Sequence, residues 1–236
     1  MNDDQVLKEF RSLAVLLSNP KGVKKIVNKI SNWLSLNITI LIQYFGVQDS
    51  IIRNHEGRLI LNIGSGDEFP EECINTDLFP TLGEIFKIFT KNKKVRCDYF
   101  LNILYKDKSL VGKVDAILFS HVLEHVPPHL SLTVLWNLRD FLKPGGTLRI
   151  SVPCLNAYDK KPMPSNQNIV TPILAKNSLV YRWNHKFMYD QRLLTILLES
   201  VGFTDVQTTA CERDEMGEFD VTRRKEETIY LICKSR

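Results

Sequence analysis

Beyond Arg58 the chain alternates short apolar runs with stretches whose apolar residues recur every three or four positions, the pattern of repeated strand-helix units in a mainly parallel sheet. Five runs, Leu59–Ile63, Ile74–Asp77, Lys94–Cys97, Val114–Phe119 and Thr147–Val152, predict strands, and Asp205–Thr209 and Thr228–Ile232 bring the count to seven. A helix is expected over Leu132–Leu142, where Leu135, Leu138, the aliphatic stem of Arg139 and Leu142 share a face before Pro144-Gly145-Gly146 ends the run. Another is expected from Asp190, a residue type that caps helix amino termini, through Leu193, Leu194, Leu197, Leu198 and Val201 to Gly202. Only seven residues, Asp67 to Cys73, separate Gly66 from Ile74. A crossover helix needs more, so the first crossover is predicted to be a loop. The expected fold class is α/β, a seven-stranded, mostly parallel sheet flanked by helices.

Residues 1–57 predict a helical extension that caps this body, with Val6, Leu7, Phe10, Leu13, Ala14 and Leu17 at helical spacing before a break at Pro20-Lys21-Gly22. The stretch Leu34–Ile42 alternates like a strand yet follows a lysine-rich, helical-looking segment, and its pattern fits either type. Residues 58–236 form the main domain. Within it, 153–189 carries prolines at 153, 162, 164 and 172 and no clean period, which predicts a lid-like insertion over the carboxyl edge of the sheet.

Composition changes this picture little. At 44% hydrophobic and 25% charged, the 236 residues suit one packed α/β body with an appendage. The net charge of +4 is spread along the chain, so no nucleic-acid partner is expected. The five cysteines are scattered, odd in number and without a C-x-x-C pair, which argues against a disulfide framework or a zinc knuckle and fits a cytoplasmic setting. Met-Asn-Asp-Asp opens no signal peptide, and the apolar run Trp33–Phe45 is too short and too polar to span a bilayer. Lys21, Lys24, Lys25 and Lys29 precede that run, so peripheral membrane contact and a homodimer both stand beside the plain reading that it covers the sheet.

The chemistry gathers at strand ends. Leu59–Ile63 runs directly into Gly64-Ser65-Gly66, where glycines let a ligand approach the backbone at the edge where open sheets bind ligands. The next strand closes on Asp77, whose carboxylate suits both hydroxyls of a ribose. The third predicted strand ends at Asp98, and the fourth runs into Ser120-His-Val-Leu-Glu-His125. A dinucleotide-binding fingerprint would need a third glycine at residue 69, where Phe69 stands, and a helix behind it.

In this order the motifs resemble those of class I S-adenosylmethionine-dependent methyltransferases, over roughly Arg58 to Arg236. The resemblance implies a Rossmann-like fold with S-adenosylmethionine as cofactor. It implies that Gly64, Ser65 and Gly66 face the methionine part, Asp77 and the adjoining Leu78 the ribose, Asp98 the adenine amine, and Ser120 and His121 the neighbourhood of the sulfur. Segments Leu61–Asp77, Ser120–His125 and Trp183–Tyr189 are most similar to small bacterial methyltransferases associated with cell-surface sugar synthesis, which implies a small or sugar-like acceptor.

Other readings stay open beside this one. A protein could keep the cofactor pocket without turnover. The string His121-Val-Leu-Glu124-His125 also matches the H-x-x-E-H zinc hydrolase pattern, but Pro127-Pro128 ends any helix there, and no metal is expected. His185 lies in Tyr181–Tyr189 after the lid, placed either to take a proton from an acceptor hydroxyl or to fix the loop by a hydrogen bond.

Overall fold

The computed structural model describes residues 6–8, 10–12, 14, 23–66, 68–91, 97–159, 171–219 and 222–236. Its sheet has the order β3-β2-β1-β4-β5-β7-β6, built from β1 (Ile60–Ile63), β2 (Ile74–Asp77), β3 (Tyr99–Phe100), β4 (Val114–Ser120), β5 (Leu142–Pro153), β6 (Phe203–Thr209) and β7 (Thr228–Ser235). β1 to β5 pair in parallel, whereas β7 inserts antiparallel between β5 and β6. This is the seven-stranded, mostly parallel α/β architecture expected from the sequence. β1 and the inner part of β5 are buried throughout, which explains why they read as continuous apolar runs.

The sheet is flanked by helices α1 (Val23–Tyr44), α2 (Asp49–Arg53), α3 (Leu82–Lys91), α4 (Ser131–Phe141), α5 (Pro172–Arg182) and α6 (Gln191–Ser200), with short 3-10 turns between elements. Asp190 caps α6 as expected, its carboxylate accepting the Leu193 N–H at 2.7 Å. No helix lies among the described residues between β1 and β2, so the first crossover is the predicted loop. The Leu34–Ile42 stretch, whose pattern fitted either type, is helical, inside α1. The third strand among the described residues lies at Tyr99–Phe100, and of the predicted Lys94–Cys97 run residues 94–96 fall outside the described set.

α1 inverts the usual amphipathic arrangement. Its buried positions Ser31, Ser35 and Thr39 repeat every fourth residue and meet the backbone of the β2–α3 loop: Ser31 Oγ accepts the Leu82 N–H, Thr39 Oγ1 accepts the Phe79 N–H, and Ser35 Oγ donates to Phe79 O. One turn further on, Gln43 Oε1 accepts the Asn102 N–H at 2.8 Å. The stripe satisfies loop groups that would otherwise lack partners, while Ile26, Ile30, Trp33 and Leu41 face outward. No helix among the described residues is long and apolar enough to cross a membrane.

Candidate active site

Parallel pairing of β2, β1 and β4 brings the loops after these strands to one edge. The Gly64 and Ser65 N–H groups both donate to Thr76 O, folding the chain tightly as it leaves β1. Gly64 has φ +69°, and a Cβ there would lie 2.6 Å from Val122 Cγ2, so both backbone angle and the loop after β4 require glycine. At Gly66, φ +57°, a Cβ would meet nothing nearer than Gly64 O at 3.9 Å, so its backbone angle alone favours glycine. Asp77 closes the turn, its carboxylate accepting the Gly66 N–H at 3.2 Å and the Leu78 N–H at 2.7 Å. Burial pushes this carboxyl above its ordinary value, and the two N–H groups only partly offset that. Beside it the hydroxyls of Ser65 and Thr76 are buried without a hydrogen-bond partner.

Glu68, two residues after Gly66, has a structural task. Its N–H donates to Ser65 O, its carbonyl accepts from Asn62 Nδ2, and its carboxylate pairs with Arg224 at 2.6 Å. The glycine loop is thereby tied to the segment before β7.

Asp98 does not join this group. Thr76 pairs with Tyr99, so Asp98 lies level with Asn75, two residues back from the edge. Its Oδ2 accepts the Asn75 N–H at 2.9 Å and Asn75 Nδ2 at 3.2 Å, fastening the entry of β3 to β2. The polar residue beyond the carboxyl end of β3 is the buried Asn102, whose Oδ1 accepts the Leu104 N–H. With the strand read at 94–97 Asp98 stands at its carboxyl end, whereas in the structure it stands just before β3. The aromatic pair Tyr99-Phe100 was the available signal.

The loop after β4 builds the second half of the site. Ser120 Oγ lies 2.9 Å from Ser151 Oγ. His121 adopts φ +54°, donates its N–H to Ser151 O, and hydrogen-bonds Thr228 Oγ1 through Nε2 at 3.1 Å, while its Nδ1 lies 3.3 Å from Glu124 Oε1 without a hydrogen bond between them. A single 3-10 turn, Leu123–His125, follows, so the continuous helix that an H-x-x-E-H zinc hydrolase needs is absent here. Across the turn the Glu124 carbonyl accepts the N–H groups of Lys186 and Phe187, at 2.6 and 3.3 Å, which seats His185 against it. His185 Nε2 stands 4.0 Å from Glu124 Oε1, and the His125 and His185 rings meet edge-on at 4.8 Å. Burial drives the His185 imidazole down to about 4, with Glu124 opposing and the neighbouring histidines reinforcing the shift.

These groups open onto a cavity of about 520 Å³, also lined by Tyr158, Leu179, Trp183, Arg224 and Glu227. The Tyr158 hydroxyl donates to Glu227 at 2.5 Å. Tyr158, Leu179, Trp183 and His185 all come from the predicted insertion, whose residues 160–170, with Pro162 and Pro164, lie outside the described set.

A family model described as a methyltransferase domain matches residues 53–208. No curated protein matches the chain in sequence. Among solved structures it is similar to the CurJ carbon methyltransferase, at 17% identity and a TM-score of 0.47 over 76% of this chain and 49% of that one. The chain thus spans about half the length of that protein. It is also similar to a SAM-dependent methyltransferase of Archaeoglobus fulgidus, at 18% identity and 0.45 over 83% and 94%. A putative O-methyltransferase of Nostoc punctiforme gives 13% and 0.45 over 98% and 68%.

Proposed function

The chain belongs to the methyltransferase domain family, and from that premise we propose that it transfers a methyl group from S-adenosylmethionine to a hydroxyl of a small, sugar-like acceptor. The supporting observation is the meeting of two features at one sheet edge: the Gly64–Gly66 turn closed by Asp77, and the cavity that begins at His121. When bound, the cofactor supplies an electrophilic methyl on a sulfonium, and the chain's part is to align donor and acceptor and keep water away.

The residues present fit that cofactor. Gly64 and Gly66 leave the backbone bare of Cβ atoms, and Ser65 Oγ is a buried hydroxyl still without a partner. Asp77 keeps lone pairs beyond its two backbone bonds, enough for ribose hydroxyls, with Leu78 beside it. Ser120 and His121 stand at the donor end. Asp98 is replaced in this assignment by Asn102, because Asp98 is spent on Asn75 two residues from the edge.

The acceptor belongs in the cavity, where aromatic walls from Trp183 and Tyr158 alternate with the polar groups of Glu124, Arg224 and Glu227, a lining that suits a polyhydroxylated molecule. Residues 153–159 and 171–189 serve as its cover. His185 faces the acceptor hydroxyl and takes part in activating it. The resemblance to enzymes of cell-surface sugar synthesis, carried by Leu61–Asp77, Ser120–His125 and Trp183–Tyr189, supports the same acceptor class.

Calorimetry with S-adenosylmethionine, followed by transfer of labelled methyl to a panel of sugars and sugar nucleotides, tests the proposal. Binding followed by labelled sugar product supports it. Binding without transfer to any hydroxyl compound makes the chain a cofactor-binding protein, and absence of binding removes the cofactor assignment.

A further inference from the structure

Glu124 is fully buried, yet neither of its carboxylate oxygens has a hydrogen-bond partner, and His185 Nδ1 beside it is likewise buried and unpartnered. A buried carboxylate without donors is strongly disfavoured unless an opposite charge meets it. No lysine or arginine among the described residues forms an ion pair with it; what surrounds it is imidazole, from His121, His125 and His185. One ligand atom from each of Glu124, His125 and His185 lies within 4.8 Å of the others. Ligands at zinc-like bond lengths of about 2.1 Å sit roughly 3.4–4.2 Å apart, so small side-chain rotations close the set.

We infer that Glu124, His125 and His185 form a binding site for a divalent transition-metal ion within the acceptor cavity. Two imidazoles and one carboxylate are a borderline donor set, suited to zinc, cobalt, iron or manganese rather than to magnesium or calcium. The scaffold holds this set in advance. Glu124 and His125 share one 3-10 turn, and the Glu124 carbonyl accepts two N–H groups from the 186–187 backbone, which fixes His185 although it lies 61 positions away in the chain. His121 is a positioning residue, steering the carboxylate with Nδ1 while Thr228 fixes its other nitrogen. The pair brought together is His125 with His185, not the His121–His125 pair of the zinc hydrolase pattern, so the site owes nothing to a helical H-x-x-E-H.

Three protein ligands leave coordination positions facing the cavity, and their use rests on the methyltransferase reading. An acceptor hydroxyl bound there becomes more acidic. Its proton passes to water at the exposed His125 side, its oxygen forms the new bond to the methyl carbon, and the carbon–sulfur bond breaks with its electron pair returning to sulfur.

The test uses the full chain, stripped with a chelator and titrated with Co2+. Visible d–d absorption saturating at one equivalent is expected. His125→Ala, whose ring is exposed and whose loss spares the core, should weaken binding by at least about tenfold, the lower end of what even an outer-shell partner contributes. His185→Asn should do the same with the melting temperature preserved. Absence of binding in folded protein, or equal binding by all three proteins, overturns the site. Calorimetry with S-adenosylmethionine on the same samples keeps the two readings apart. Protein that binds Co2+ but not the cofactor upholds the metal site and removes the methyltransferase role; protein that binds the cofactor but not Co2+ does the reverse.

Discussion

Gln48 pairs with Phe100 as a neighbouring strand would: its Nε2 donates to Phe100 O at 2.6 Å and its Oε1 accepts the Phe100 N–H at 3.0 Å. β3 is the sheet's edge and only two residues long, so one amide side chain satisfies the backbone groups that an edge otherwise leaves open to other chains. Gln48→Ala leaves both without that partner and should destabilise the protein by about 1–3 kcal/mol, the range for unsatisfied buried polar groups. Urea denaturation gives the magnitude, and hydrogen exchange at the Phe100 amide gives the location. Unchanged protection there would mean that water replaces the glutamine without loss.

This contact also shows why the Tyr99–Phe100 strand was not legible in the sequence. Two residues carry no period, and what makes them a strand is pairing with Thr76 and Asp77 of β2, backed by a side chain 52 positions away. α1 was ambiguous for a related reason: its buried face is Ser31, Ser35 and Thr39, so hydrophobic periodicity pointed at the wrong side. The buried strands β1, β2, β4 and β5 were legible because apolar runs bounded by turn residues depend on nothing distant. At the site, the Gly64–Gly66 turn and Asp77 were legible as strand endings, whereas the convergence of Glu124 with His185 exists only after the insertion folds back.

Gly64 and Gly66 should respond differently to alanine. Gly66→Ala meets no atom nearer than Gly64 O at 3.9 Å and carries only the strain of a left-handed backbone, about 1–2 kcal/mol. Gly64→Ala adds the collision with Val122, a further 1–3 kcal/mol or so for overpacking. The double variant Gly64→Ala with Val122→Ala should recover part of the second cost, read as a non-additive term in thermal melts. Simple additivity would show that the loop after β4 moves aside freely.

Asp98 and Asp77 should separate stability from ligand binding. Asp98→Ala removes the carboxylate from Asn75 and should lower stability by about 1–3 kcal/mol with cofactor affinity retained. Asp77→Ala should weaken S-adenosylmethionine by about 1.5–3 kcal/mol, as for hydrogen bonds to a charged group. Calorimetry on both variants decides it, and a large affinity loss in folded Asp98→Ala would return that residue to the cofactor site.

Acidity supplies a sharper test of Asp77. Its carboxyl is raised by burial in the ligand-free protein, and the form that accepts ribose hydroxyls is the ionised one. Ligand binding therefore favours proton release, and the carboxyl must fall on binding. By linkage, affinity stays level above the raised ligand-free value and declines as pH drops through the window between that value and the lower one of the complex. The decline should begin above the ordinary aspartate range, reach no more than tenfold per pH unit for a single proton, and vanish in Asp77→Ala, where the ligand's own titration remains as the baseline. Calorimetry in two buffers of different ionisation enthalpy measures the proton released directly. Equal pH profiles for wild type and Asp77→Ala would show that Asp77 stays outside the ribose contact and that its two backbone bonds are its whole role.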